Sequence, residues 1–324
     1  MKAAIVVEAG KTPVYGDFKE PVPKNGEVQV KVTAAALSNV VRSRAAGTHY
    51  SSSEQLPFVV GIDGVGRLDD GRRVYFALPK APFGSMSEKT VVRASQCVFL
   101  PEDLDDVTAA AIANPGMSSW AALKERAGLA AGKTVLVNGA TGTAGRLAVQ
   151  IARHLGARKV VATGRNPETL KALAAFGADV TIPLGAIGDG FEDALKEQFG
   201  GDGIDVVLDY LWGPSAERIM IAGAKAGKDA VPIRFVHIGA VSASNITLPS
   251  AALRSSAITL MGSGIGSIPL DRLLKSIDDL MKATIPGGFA IETRTFPLSE
   301  VEEVWATADN LPRTVFQIGL PGSR

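Results

Sequence analysis

Lys133-Thr-Val-Leu-Val137, Asn138-Gly-Ala-Thr-Gly-Thr-Ala-Gly145 and Arg146-Leu-Ala-Val-Gln-Ile-Ala-Arg-His-Leu155 follow one another without a break. They read as a strand, a tight glycine turn and a helix, the order that builds a dinucleotide site. Gly142 lets the backbone come up to a pyrophosphate with no Cβ in the way, and Gly145 allows the helix to pack closely on the strand. The N–H groups at the helix start, those of Thr143 and Ala144, are the donors for phosphate. Ala140 stands where the strict G-x-G-x-x-G pattern has its first glycine. The turn alone is therefore a loose sign and needs a second.

The second sign is the next apolar run, Lys159-Val-Val-Ala-Thr-Gly164, which ends in Arg165-Asn166. That end falls about 20 residues beyond the turn, where the ribose-reading residue of such folds sits. An NAD site places an acidic side chain there. This chain has Gly164, which leaves space, and Arg165, whose planar guanidinium pairs with a 2′-phosphate and stacks on an adenine face. The pattern points to NADPH over NADH; the alternative is an Arg165 that merely faces solvent at a strand end.

At 324 residues the chain is long enough for two domains with buried cores. Its net charge of +1 and interspersed basic and acidic residues give no electrostatic footprint for nucleic acid or an anionic membrane. Neither a signal peptide nor a membrane span is expected, because the apolar run at Met1–Val7 is short and followed by Glu8. A single cysteine, Cys97, precludes an internal disulfide and fits a reducing cytoplasm. In its strand-like run Cys97 reads as a small buried hydrophobe rather than a nucleophile.

Up to about Ala113 the chain alternates apolar and polar residues in short runs, as in Glu27–Thr33, Gly64–Leu68, Arg73–Ala77 and Lys89–Arg93. Such spacing predicts a compact, mostly antiparallel β domain. From Thr134 the rhythm becomes strand, helix, strand. Strands are expected at 134–138, 159–163, 180–182, 204–208 and 234–238, with helices starting near Thr143, Pro167, Gly190 and Pro214. The alternation predicts a doubly wound parallel sheet. A joining helix over Ser118–Arg126 is expected to be capped at its first serines. After Ile258–Gly262 come a helix near Leu270–Ala283 and strands at 292–296 and 314–318, best used by returning to the first domain. The expected domains are 1–117 with 258–324, and 118–257, with substrate in the cleft between them.

With these residues in view, the chain resembles the medium-chain dehydrogenase/reductase superfamily, and within it the zinc-independent quinone oxidoreductases. The stretches that carry the resemblance are Gly26–Val32 with Ala34–Ser38, Pro57–Gly66, Phe83–Glu88, Ser118–Leu123, the glycine turn and Phe176–Asp179. Their order and spacing run over nearly the whole chain. The resemblance implies an α/β fold in which a Rossmann sheet is inserted into a GroES-like β domain. It also implies a homodimer, placed at the strand edge around 257–261.

The zinc alcohol dehydrogenases of that superfamily carry Cys, His and Cys as catalytic ligands and a four-cysteine structural site. Matching the motifs puts Ser38, Ile62 and Asn114 at the three catalytic positions, which is no plausible zinc set, and one cysteine cannot build a four-thiolate lobe. His49, His154 and His237 fall on a loop, a helix and a strand. Without Lewis-acid activation the acceptor must already take hydride readily, as a quinone or an α,β-unsaturated carbonyl does.

By the same resemblance the candidates for orienting or protonating the acceptor are Ser38, Asn39, Tyr50 and Asn114. Tyr50 is the proton donor of choice and His49 a relay, unless 49–53 is only a polar loop. Arg42 and Arg44 either line the same region or, as the preferred reading, face solvent. Cofactor contacts are assigned to Ser118, to Gly142, Thr143, Ala144 and Gly145, and to Gly164, Arg165 and Asn166. Further contacts are Gly239, Ala240 and Val241 after the fifth strand, and Gly262 and Ser263 after the sixth. Thr169 stands where the family often has a lysine, which throws more of the work onto Arg165. Asp209 is either a structural cap or a ribose contact. Two alternatives remain open at this point: an enoyl-thioester or alkenal reductase, and a non-catalytic NADPH-binding redox sensor.

Overall fold

A computed structural model of the chain describes residues 1–49, 52, 55–185, 190–307 and 311–319. It divides into two compact units, Met1–Asn114 with Ile277–Arg324, and Pro115–Ser276.

The first unit opens with strands β1 (Lys2–Val6), β2 (Val14–Asp17) and β3 (Glu27–Ala36), helix α1 (Asn39–Ala45), and strands β4 (Phe58–Val59), β5 (Asp63–Arg67), β6 (Arg73–Ala77), β7 (Lys89–Arg93) and β8 (Cys97–Phe99). Helix α2 (Asp106–Ala121) follows and runs on into one π-helical turn, Ala122–Arg126.

The second unit continues with β9 (Thr134–Asn138), α3 (Thr143–His154), β10 (Lys159–Gly164), α4 (Pro167–Ala172), β11 (Val180–Pro183), α5 (Phe191–Gly200), β12 (Val206–Asp209), α6 (Gly213–Ala226), β13 (Ile233–His237), α7 (Ser250–Arg254) and β14 (Ile258–Gly262). The chain ends with α8 (Leu270–Thr284), β15 (Thr293–Pro297), α9 (Val301–Thr307) and β16 (Arg313–Gln317).

The second unit is a parallel sheet in the order β11-β10-β9-β12-β13-β14. Strand β9 is buried at every residue, as a strand covered on both faces must be. The fold class expected from the sequence is the one observed. Strand order reverses at β9, which has β10 on one side and β12 on the other, and the crevice at such a reversal is where doubly wound sheets take ligands. Phe191, Leu195 and Phe199 of α5 pack with Ile219 and Met220 of α6 and with Leu136 and Val207 of the sheet. Each such buried side chain contributes roughly 1.5–3 kcal/mol.

Helix and turn meet at Gly145. A Cβ there would lie 2.3 Å from the Gly139 carbonyl oxygen and 2.6 Å from the Ala140 Cα, so only glycine lets α3 lie this close to the turn. Gly139 takes φ +88°, a conformation that favours glycine.

In the first unit β15, β16, β3, β5, β6 and β8 form one sheet, with β7 also paired to β3. All its pairs are antiparallel except β15 with β16. The late strands thus complete the early sheet through β16 and β3. Val30, Phe76, Val92, Trp305 and Phe316 share its core. Asp63 is buried within this sheet and accepts the Tyr75 hydroxyl at 3.0 Å. Burial lifts the Asp63 carboxyl to about 6, against the opposing pull of Arg313, which burial in turn draws down to about 10.

Two expectations need correcting. The chain leaves the second unit at Ser276–Ile277, not at 257–258, because β14 pairs with β13 as the sixth parallel strand. The joining helix does not begin at Ser118. It begins at Asp106 and carries Pro115 in its interior, and Ser118 spends its hydroxyl on the Pro115 carbonyl at 2.7 Å.

Two measurements check this packing. Gly145→Ala should lower stability by about 1–3 kcal/mol in urea unfolding, the cost of overpacking against backbone. Gly142→Ala, where the nearest atom to a Cβ is 3.8 Å away, should unfold close to wild type. Equal midpoints for the two variants would remove the close approach as a constraint. For Asp63 the folded carboxyl holds its proton to higher pH than the unfolded one, so its contribution is complete below pH 3.8 and is lost as pH rises through about 6. Relative to Asp63→Asn, wild type should lose roughly 2–3 kcal/mol across that window; parallel pH profiles of unfolding free energy would contradict it.

Candidate functional site

The turn after β9 is fastened on the β10 side. The Ala140 N–H donates to the Thr163 carbonyl at 2.8 Å and the Gly139 N–H to the Thr163 hydroxyl at 3.3 Å. Gly142 is the N-cap of α3, extended at φ −80° and with no capping side chain. The Arg146 N–H reaches the Gly142 carbonyl at 2.9 Å. By helix geometry the N–H groups ahead of it, including Ala144 and Gly145, have no carbonyl one turn back within the helix. This arrangement, open on the Gly142 side and closed to any Cβ at Gly145, fits a pyrophosphate at a helix start.

Register brings four polar residues into one row across the strand ends. Thr163 stands opposite Asn138, Asn138 opposite Asp209, and Asp209 opposite His237. Asn138 is wholly buried; its Oδ1 accepts the Thr163 hydroxyl at 2.7 Å, and its Nδ2 donates to Asp209 Oδ1 at 2.7 Å and to the Ser215 hydroxyl at 2.9 Å. Asp209 also accepts the N–H groups of Leu211 and Trp212 at 3.2 Å, and lies 3.3 Å from His237 Nδ1. The Trp212 and His237 rings lie 4.2 Å apart. Asp209 therefore caps the turn into α6 and orients His237. Sequence reasoning had left Asp209 between two roles and had not joined it to Asn138 or His237. The only local signal was that each of these polar residues ends its strand.

The other assigned cofactor residues lie on the loops after the strands. Gly164 ends β10, where a Cβ would meet Thr141 Cγ2 at 2.4 Å; Arg165 beside it is exposed. Asn166 caps α4, its side chain accepting the Thr169 N–H at 2.9 Å. After β13, Gly239 donates to the Asp209 carbonyl at 3.2 Å, and Ala240 and Val241 are exposed. The Gly262 carbonyl accepts Arg126 Nε at 2.7 Å, and the Ser263 N–H donates to the His237 carbonyl at 2.8 Å. Tyr210 is a residue the sequence reading missed. Burial lifts its phenol to about 12, partly offset by the hydroxyls of Ser118 and Ser119.

In the first unit Ser38 is buried and serves as N-cap of α1, its Oγ accepting the Val41 N–H at 3.1 Å. Asn39 is exposed at the first turn of α1, and Asn114 is half-buried in α2. Tyr50 lies outside the described residues. Of the two readings for Arg42 and Arg44, the preferred one, facing solvent, does not hold. Arg42 donates to the Trp305 carbonyl at 2.6 Å and lies over its ring. Arg44 lines a cavity of about 210 Å³ together with Phe58, Ile62, Leu78, Pro82 and Phe83. Burial and the nearby Arg44 charge hold His49 below the usual imidazole range. Cys97 sits half-buried in β8 with its thiol pushed up to about 11 by burial, which suits a small apolar residue and not a nucleophile.

The positions matched to zinc ligands hold a hydroxyl used as a helix cap, a hydrocarbon in the β core and a half-buried amide. These are not zinc donors. Among the described residues no three His, Cys, Asp or Glu side chains cluster as metal ligands, and no helix is long and apolar enough to cross a membrane.

A family model described as zinc-binding dehydrogenase matches residues 144–281. The probable NADPH-dependent quinone reductase of Emericella nidulans is 31% identical over 95% of this chain and 97% of that one. The 2-methylene-furan-3-one reductase of Solanum lycopersicum is 34% identical over 63% of this chain and 54% of its own length. The quinone oxidoreductase of Thermus thermophilus, a structure solved also in complex with NADPH, aligns over 98% of this chain and 100% of that one, at 26% identity and a TM-score of 0.81. A glycine turn at the switch point of a six-stranded parallel sheet, a β unit closed by the chain's last strands and a near full-length relative together place this chain in the medium-chain dehydrogenase/reductase superfamily, among its quinone oxidoreductase-like members.

Proposed function

We propose that the chain is a zinc-independent oxidoreductase that uses NADPH to reduce a quinone or an α,β-unsaturated carbonyl. The observation that carries this reading is the end of β10, where Gly164 and an exposed Arg165 occupy the place of an acidic ribose-reading residue. Arg165 there pairs with a 2′-phosphate. The N–H groups of Thr143 and Ala144 hold the pyrophosphate at the start of α3. The Asn138, Asp209 and His237 row fixes the loops at 239–241 and 262–263 that flank the nicotinamide side. When bound, the reduced nicotinamide supplies a hydride.

The acceptor must spread the developing negative charge by conjugation, since Ser38, Ile62 and Asn114 offer no Lewis acid. Ser38 uses its oxygen lone pair on the Val41 N–H, which leaves its O–H hydrogen as a donor toward an acceptor oxygen. Tyr50 remains the phenol assigned to deliver the proton, with Asn39 and Asn114 as orienting amides. The relatives named for quinone and methylene-furanone reduction support a conjugated acceptor. The methylene-furanone case favours extending the reading to alkenals and enoyl thioesters. The lone, half-buried Cys97 supports a cytoplasmic setting.

We also infer a homodimer joined at β14. Among the described residues that strand pairs with β13 alone, and Leu260 on it is 39% exposed. Open edges of this kind are generally paired or covered.

Arg165→Asp should weaken NADPH binding by about 10- to 100-fold while leaving NADH binding unchanged or improved, as read by fluorescence titration with both cofactors. Unchanged NADPH affinity would remove Arg165 from the site. NADPH consumption with a panel of quinones, enones and enoyl thioesters, NADH being the control, then reads the acceptor class. Sedimentation equilibrium should give twice the chain mass for wild type and a monomer for Leu260→Asp; a monomeric wild type would contradict the β14 interface.

A further inference from the structure

The cavity of the first unit, about 210 Å³, takes one wall from α1 and the rest from 55–62 and 78–83. It is smaller than the roughly 300–1,000 Å³ usual for drug-sized ligands, so it suits a compact acceptor and not a long thioester or an isoprenoid tail. Its lining is apolar except for Gln55 at the rim and Arg44, the one charged residue in it among the described residues. Burial draws the Arg44 guanidinium below its ordinary pKa, and no acidic group among the described residues offsets that. Three other half-buried arginines have partners: Arg73 pairs with Asp106, Arg218 with Glu192, and Arg42 donates to the Trp305 carbonyl. A partly desolvated cation with no counter-ion among the described residues, facing an apolar cavity, is costly unless a ligand supplies the charge.

We propose that this cavity binds the anionic end of a small conjugated acceptor, the Arg44 guanidinium holding its carboxylate and Phe58, Ile62 and Phe83 taking its apolar part. The inference rests on the reductase reading above and narrows its substrate class to acidic enones or quinones. In the reaction of such an enone a hydride adds to the carbon β to the ketone and a solvent proton to the α carbon. The C=C bond becomes single, NADPH leaves as NADP⁺, and the carboxylate is unchanged.

The test compares 3-benzoylacrylate with its methyl ester, two enones that differ in one charge. For wild type the kcat/KM of the acid should exceed that of the ester by at least about 10-fold, the scale of a partly buried ion pair. In Arg44→Met that ratio should fall close to one, and Arg44→Lys should retain an intermediate ratio, which also guards against a folding defect in the methionine variant. A wild-type ratio near one, or the same ratio in wild type and Arg44→Met, would overturn the proposal. Should neither compound consume NADPH, it is the reductase reading that fails. Calorimetric titration with the saturated acid 3-benzoylpropionate then tests the site itself, with binding to wild type and at least about 10-fold weaker binding to Arg44→Met expected. No binding to wild type, or equal binding to both, would overturn it.

Discussion

The buried side-chain amide of Asn138 is the interaction on which the rest of the cofactor unit depends. It engages three partners at once, Thr163 on one neighbouring strand, Asp209 on the other and Ser215 at the start of α6. Each such bond is worth only about 1 kcal/mol net, but leaving one of its buried atoms unpaired costs about 1–3 kcal/mol. The amide therefore locks β9, β10 and β12 at one level. That level is the one from which the glycine turn, Arg165 and the loop after β13 depart. Asp209, wholly buried, passes the constraint on to His237 and to the backbone that starts α6.

This row explains why the turn tolerates Ala140 in place of a glycine. Ala140 is buried and tied to Thr163 through its backbone, so the position that must approach phosphate is further on, at Gly142. The position that must admit the turn to the helix is Gly145, where even one methyl group would overlap a carbonyl oxygen. The residues at the matched zinc positions belong to the same economy of structure: Ser38 starts α1, and Ile62 fills the β core and a cavity wall. A chain built this way relies on orientation and on an acceptor that is reactive in itself.

Much of the fold was legible because its signals are local. The buried strand Thr134–Asn138, the N-terminal ends of α3 and α4, and the strands Arg73–Ala77 and Lys89–Arg93 all lie where periodicity and capping residues predict. The joining helix was expected to start at Ser118, yet α2 starts at Asp106 and runs through Pro115 and Gly116. A proline inside a helix loses one backbone bond, and neighbours packed around it can outweigh that loss. The boundary near 257 was drawn just ahead of β14, although that strand had been read as the sixth of the parallel sheet; where the chain returns to the first unit is settled by contacts between distant residues, and lies at 276–277. The Asn138, Asp209 and His237 row was illegible for the same cause. Register across parallel strands decides it, and each residue alone reads only as a polar strand end. Arg44 read preferentially as a surface arginine because the segments that share its cavity, 55–62 and 78–83, lie 11 to 39 residues away in sequence.

The most direct test of metal-free hydride transfer uses NADPH carrying deuterium at C4 of the nicotinamide, on its transferable face, with methyl 3-benzoylacrylate as acceptor and a strong zinc chelator present. The account predicts a saturated product with one deuterium on the carbon β to the ketone, formed at the same rate with and without chelator. A product without deuterium at that carbon, no product with either face labelled, or a reaction abolished by the chelator would contradict it.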